Sequence, residues 1–246
     1  MIKSALKYSI IFAFFVNGLV HADIFGRFAG GSWHDQKNTW RIDGNFVEKL
    51  PGSADAVQLV SQNKTIELSD SPVIVKALNI GTWDPGLTQK AVLVVRTNLT
   101  AEVINIGFLK DAPNNQWGNG ELVVSGAEVA TKGITAIGGM GSGTLTVSNG
   151  GVFRNNTWRI ALGKGGKLVI DDGVVSMKNG LTMEEGSVIH INGKSQLQIL
   201  GINLSRYGSP VLEYIQSGRI FGNGTAGNVQ VIYDGDKTII RVPAGK

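Results

Sequence analysis

Asp171-Asp172 and Glu184-Glu185 are the only doubled carboxylates in the chain. Paired acids are what glycosidic-bond cleavage or calcium binding requires. In the 23-residue register described below, the residues one repeat upstream are Ser148-Asn149 and Ala161-Leu162, so no carboxylate ladder forms. The four acids are therefore expected to be solvated turn residues, where Asp is locally favoured. His34 and His190 are the histidines outside the N-terminal segment, and there is no cysteine. Neither a thiol nucleophile nor a zinc cluster can be built from this set, and no metal, cofactor or catalytic group is expected. His190 lies between Ile189 and Ile191 and is expected to point outward above Lys167. The GNG and GKGG stretches follow strand ends and read as turns, not phosphate cradles.

Tryptophan carries the one binding signal. Trp83 in GTWDPG and Trp117 in NNQWGNG lie in turn-rich segments beside Asp and Asn. Exposed indole faces stack on sugar rings, and the neighbouring polar groups suit hydroxyls, which makes these two residues the candidate carbohydrate contacts. The competing reading folds each indole back as a loop anchor on its own flank. Trp33 and Trp40 are expected to cap the first coil, and Trp158 to sit inside, in a column with Thr135 and Leu181.

The elements that would position these residues repeat. GNGELVVSGAEV (118–129), GSGTLTVSNGGV (141–152) and GKLVIDDGVV (166–175) share one register. Leu122, Leu145 and Leu168 are 23 apart, as are Val124, Val147 and Ile170. The same step links Val129, Val152 and Val175, then Ile137, Ile160 and Met183, and it links Gly120, Gly143 and Gly166. The apolar residues alternate by two, so the units are strands. A fixed period with one apolar face per strand predicts stacked coils. Segments 73–81, 91–97 and 101–107 read as earlier, degenerate coils, and FLKDAPNNQWGNG as an insertion that loops out. Ile189 and Ile191 take the Leu-x-Val role in a later coil. Five or six coils at about 4.8 Å each would make a rod of roughly 25 Å.

Both ends differ from the middle. Lys3 and Lys7, the apolar run from Tyr8 to Val20, and Val20-His21-Ala22 form an expected export signal, residues 1–22, cleaved before Asp23. Residues 23–55 are expected to form an N-terminal cap, 56–200 the repeats, and 201–246 a C-terminal cap. Within the last, Val211 to Ile215 could lie across the final coil. Val229, Val231 and Tyr233 should face Ile239 and Arg241 across an Asp234-Gly235 hairpin turn. Loss of Lys3 and Lys7 leaves 21 basic against 19 acidic residues. That balance gives no basis for nucleic-acid or membrane-surface binding. Sequons occur at Asn63, Asn98, Asn155, Asn203 and Asn223 and carry little weight in a Thr- and Ser-rich chain.

ITAIGGMGSGTLTVSNGGVF followed by RIALGKGGKLVIDDGVV resembles the bacterial type V secretion/PEP-CTERM-associated repeat. Trp40, Asn45-Phe46, Pro51 and Asp55-Ala56-Val57 are similar to the start of such proteins, and LEYIQSGRIFGNG to their closing segment. The resemblance implies an all-β, right-handed parallel β-helix of the pectin-lyase-like type, with an N-terminal cap and a C-terminal hairpin cap. It also implies export from a bacterium with an outer envelope. The chain ends VPAGK, without a Pro-Glu-Pro sorting motif. The expected function is a secreted or cell-surface structural or adhesive protein without catalysis, whose partners are extracellular glycan or other surface proteins. A carbohydrate-binding module is the alternative, and a polysaccharide lyase or hydrolase the third reading.

Overall fold

A computed structural model describes residues 23–27, 29–37, 39–60, 63–81, 89–107, 118–139, 141–155, 157, 159–178, 180–201 and 210–243. Residues 1–22, the expected export signal, lie outside them. The described chain is a parallel β-helix of about five turns. Each turn visits three faces in order, here C, A and B, and every face is a ladder of parallel strands.

Face C stacks Ile24–Arg27, Ala56–Leu59, the second half of Val73–Ile80, the second half of Leu99–Ile106, Thr135–Ile137, Ile160–Leu162 and Leu181–Met183. Face A runs from Gly31–Ser32 through Thr65–Leu68, Ala91–Val95 and Asn119–Ser125 to the first parts of Ser142–Asn155 and Gly166–Lys178. It then continues through Val188–Asn192 to Ile220–Gly222. Face B completes each turn and ends on Gln196–Leu200.

Alternation by two sends one set of side chains inward. On face A, Ile66, Leu93, Leu122, Leu145, Leu168, Ile189 and Ile220 form one column, each 0% exposed. Val95, Val124, Val147, Ile170 and Ile191 form the next, so both repeat columns read from face A hold. Burial of each such side chain contributes about 1.5–3 kcal/mol, which offsets the entropy of ordering the coil. The glycine column has a steric cause. A Cβ on Gly120, Gly143 or Gly166 would strike the carbonyl oxygen of Ile80, Ile106 or Ile137 respectively. The chain turns from face C to face A so tightly that only glycine fits.

Two other columns differ from the constant step. On face B the inward set is Val129, Phe153 and Val175, while Val152 pairs with Glu128 and Val174. The register shifts between Ser148 and Gly151, because Asn149 and Gly150 both take positive φ where neighbouring coils use one residue, Gly126 or Asp172. This extra turn residue displaces Val152 by one place. On face C, Ile137 stacks on Leu162 and then Met183, and Thr135 on Ile160 and then Leu181. Ile160 thus occupies the place expected for Trp158, which lies outside the described residues. Thr135 is buried because it belongs to a polar corner. Asn155 donates to the Gly133 carbonyl at 2.8 Å and to Thr135 Oγ1 at 3.2 Å, and Thr131 Oγ1 lies 3.3 Å from Thr135 Oγ1.

The N-terminal end closes around a fully buried Arg27, the first member of the Leu59–Ile80–Ile106 column. Its guanidinium donates to the carbonyls of Ala29, Gly30, Ser32 and Trp33 at 2.8–3.4 Å and lies 5.0 Å from the centroid of a Trp40 ring. Trp33 and Trp40 are both buried, with ring centroids 5.0 Å apart and nearly edge to face, and the indole N–H of Trp40 donates to the Trp33 carbonyl at 3.1 Å.

At the C-terminal end each face stops differently. Face C ends on Met183, whose N–H donates to Tyr214 Oη at 3.2 Å and whose carbonyl accepts from Arg219 Nη1 at 3.2 Å. Two side chains from the helix Pro210–Gln216 and its exit thus replace the missing next strand. Face A ends in an antiparallel pair between Ile220–Gly222 and Thr225–Ala226. Face B ends in the hairpin of Gln230–Asp234 and Lys237–Arg241, whose second strand lies antiparallel on Gln196–Leu200. Leu197 faces Ile240 and Ile199 faces Thr238, so the hairpin does shield those core residues. Its register is one place from that expected: Val231 opposes Ile240, and Tyr233 opposes Thr238.

Candidate functional site

Trp83 and Trp117 fall in segments 82–88 and 108–117, outside the described residues. The ends of those segments are described, and they stack. Gly81 N–H donates to the Leu59 carbonyl at 3.0 Å, and Gly107 N–H to the Ile80 carbonyl at 2.8 Å, one turn further on. Ala91 and Gly120, where the chain rejoins face A, are register partners. Both segments therefore leave and re-enter at one corner on neighbouring turns. Polar groups flank that corner: Lys90 N–H donates to Asn63 Oδ1 at 3.0 Å, and the Lys90 ammonium is paired with the Glu121 carboxylate. This corner is the candidate carbohydrate-binding flank.

The doubled acids do not converge. Asp171 aligns with Ser148 and Asn192, and Asp172 has φ 60°, in the turn slot that Asp tolerates. Asp171, Asp172, Glu184 and Glu185 are all exposed. Glu184 accepts from Lys164 N–H at 3.2 Å, which ties one turn to the next. Among the described residues no three His, Cys, Asp or Glu side chains gather as metal ligands, and no helix is long and apolar enough to cross a membrane.

His190 points outward between the buried Ile189 and Ile191, as expected, but it lies above Val169 and not Lys167. It pairs in register with Val169, Lys167 lies beside Val188, and the imidazole is half-buried. It stacks on Phe221, with centroids 4.8 Å apart and planes 19° from parallel. Burial, and secondarily the Lys167 charge, hold its pKa below the ordinary histidine value.

A second histidine site was not legible, because its members are distant in sequence. Ser71 Oγ lies 2.8 Å from His34 Nε2, and His34 Nδ1 lies 3.6 Å from Asp70 Oδ2. The atoms are ordered as nucleophile, base and acid would be. The His–Asp separation exceeds a hydrogen bond, and Nδ1 is buried without a hydrogen-bond partner. The carboxylate instead accepts from Ser32 Oγ at 3.2 Å and Ser69 Oγ at 2.9 Å, and its side chain is 60% exposed. These contacts pin the turn at 69–71 to the first coil, and that is the role the geometry supports.

No protein-family model, characterised protein or solved structure matches the chain.

Proposed function

We propose that the protein is an exported bacterial surface or matrix β-helix with a structural and adhesive role, holding extracellular glycan or neighbouring surface proteins without cleaving them. The observation that carries this reading is the uninterrupted parallel ladder, closed at both ends by built caps. Such a rod is stiff and presents flat flanks. Its doubled acids, Asp171-Asp172 and Glu184-Glu185, are exposed and do not converge. Antibody labelling of intact producing cells tests the address. Labelling is expected with residues 1–22 present and absent once they are deleted. Labelling confined to lysed cells would overturn it.

A carbohydrate-binding module centred on Trp83 and Trp117 is the second reading, favoured by the shared corner from which their two segments arise. On a glycan array, Trp83→Ala and Trp117→Ala should each abolish binding if the indoles form that site. Undiminished binding by both variants would remove it.

A further inference from the structure

Face A differs from the other two on its outer side. Its outward positions form two columns that span five turns. One holds Val94, Val123, Thr146, Val169 and His190, and the other Val92, Glu121, Thr144, Lys167 and Val188. Lys167 is exposed and the other nine are half-buried, so solvent meets a flat apolar strip carrying one carboxylate and one ammonium. Face C instead sets Gln58, Asn79 and Asn105 outward in one column, where Asn105 donates to Asn79 at 2.7 Å. Face B carries the ion pair of Arg154 and Glu128 at 3.1 Å. Outward valines in register are what a sheet presents when a second sheet packs on it.

The order of residues along the two columns selects the occupant. Counted from the turn that holds Thr144 and Thr146, Glu121 lies one turn to one side. Lys167 lies one turn to the other side in the same column. Val92 and Val188 follow at two turns, and Val123 and Val169 flank Thr146 in the second column. A two-fold axis along the strands at the Thr144–Thr146 turn reverses the order of turns and keeps each column over itself. Glu121 of each copy then meets Lys167 of the other, Val92 meets Val188, and Val123 meets Val169. A two-fold along the rod would instead set Glu121 over Val123 and Lys167 over Val169, leaving both charges against valine. The Glu121 carboxylate pairs with Lys90 of its own chain and accepts from Thr146 Oγ1 at 3.4 Å. A carboxylate has about four acceptor positions, so another donor can be received. Among the described residues Lys167 is in no ion pair.

We propose that face A is a self-association surface, on which a second copy of this chain packs with its rod antiparallel. The inference names a partner for the structural role proposed above and rests on that reading only for where the copies meet. Seven strands about 4.8 Å apart and five residues of about 3.3 Å outline roughly 500 Å² per copy. The pair would bury about 1,000 Å² in all, the lower bound of specific interfaces, so the association is weak and reversible. The angle of about 30° between packed sheets carries the outermost residues, Glu67 and Phe221, apart at the rim.

Sedimentation velocity on the purified chain Asp23–Lys246, from about 1 μM to about 1 mM, tests this. The unaltered chain should pass from monomer to dimer across the series. Glu121→Lys and Lys167→Glu should each weaken dimerisation about tenfold or more, because each sets two like-charged contacts in the pair. An equimolar mixture of the two variants should dimerise again, since both contacts then join opposite charges. That recovery also shows that the loss in each variant alone is not a failure to fold. A chain that stays monomeric throughout would overturn the proposal, as would dimers that neither reversal weakens. Dimers lost in both variants and not regained on mixing would refute the antiparallel pairing. The cell-surface address is decided separately, by the antibody labelling above.

Discussion

The two ends of the rod each carry an arginine close to the core, in opposite states. Arg27 is fully buried, donates to four backbone carbonyls and stacks near an indole. Burial lowers its pKa, and Asp35 partly counteracts this. Arg241 at the other end has a buried Nε with nothing to donate to, at the wall of an open cavity. A desolvated cation is compatible with stability when its acceptors are built into the same loop. The first end is therefore a finished cap, and the second leaves one buried donor unmet.

The largest test of this contrast is to remove the second cap. A chain stopped after Leu200 loses Tyr214, Arg219 and the hairpin, and exposes both the Met183 edge and the Leu197–Ile199 column. It should aggregate or melt far below the full chain, because open edges template association. A monomeric product with unchanged Tm would make residues 201–246 a separate appendage. Next in size, Arg27→Met should cost about 3–5 kcal/mol in urea unfolding, since it strands four carbonyls of one loop. Arg241→Gln should change stability by less than about 1 kcal/mol, because no partner is lost. Equal costs for the two would abolish the distinction between the ends.

The smallest effect is at His190. Its folded pKa lies below the unfolded value, so the unfolded chain takes up a proton first as pH falls. The contribution to stability is thus full above the ordinary histidine range and is lost as pH drops through it. An NMR titration should place its midpoint below the usual value. Lys167→Gln should raise it only part of the way, because burial is the larger cause. A complete return to the ordinary value would show that charge, not burial beside Phe221, sets it.

Much of the fold was legible because face A is regular. Leu122, Leu145 and Leu168, with their glycines, repeat every 23 residues and stack as read. The other two faces follow the same mean period without keeping it locally. The second positive-φ residue at Asn149-Gly150 moves Phe153, not Val152, inward. On face C, Ile137 pairs with Leu162 and not Ile160, so the step there varies around the average. A one-residue change in a turn leaves hydrophobicity nearly unchanged while it shifts the register of a whole strand. The caps were legible only as hairpin and helix signals. Tyr214 and Arg219 meet Met183 across 31 and 36 residues, and no local pattern announces such contacts. The same holds for the cavity, which joins the turn at Gly193-Lys194 to Asn223 and Arg241. The candidate tryptophans were found from their turn-rich, Asn- and Asp-flanked segments, and the structure adds that the described ends of those segments share a corner.

The most direct test is to incubate the purified chain Asp23–Lys246 with polygalacturonate and measure two quantities together: polymer sedimenting with protein, and polymer chain length by size exclusion. The expected result is co-sedimentation with chain length unchanged over hours. Shortening of the polymer, abolished by Ser71→Ala or Asp171→Ala, would show a lytic centre and contradict the reading of a non-catalytic adhesive rod.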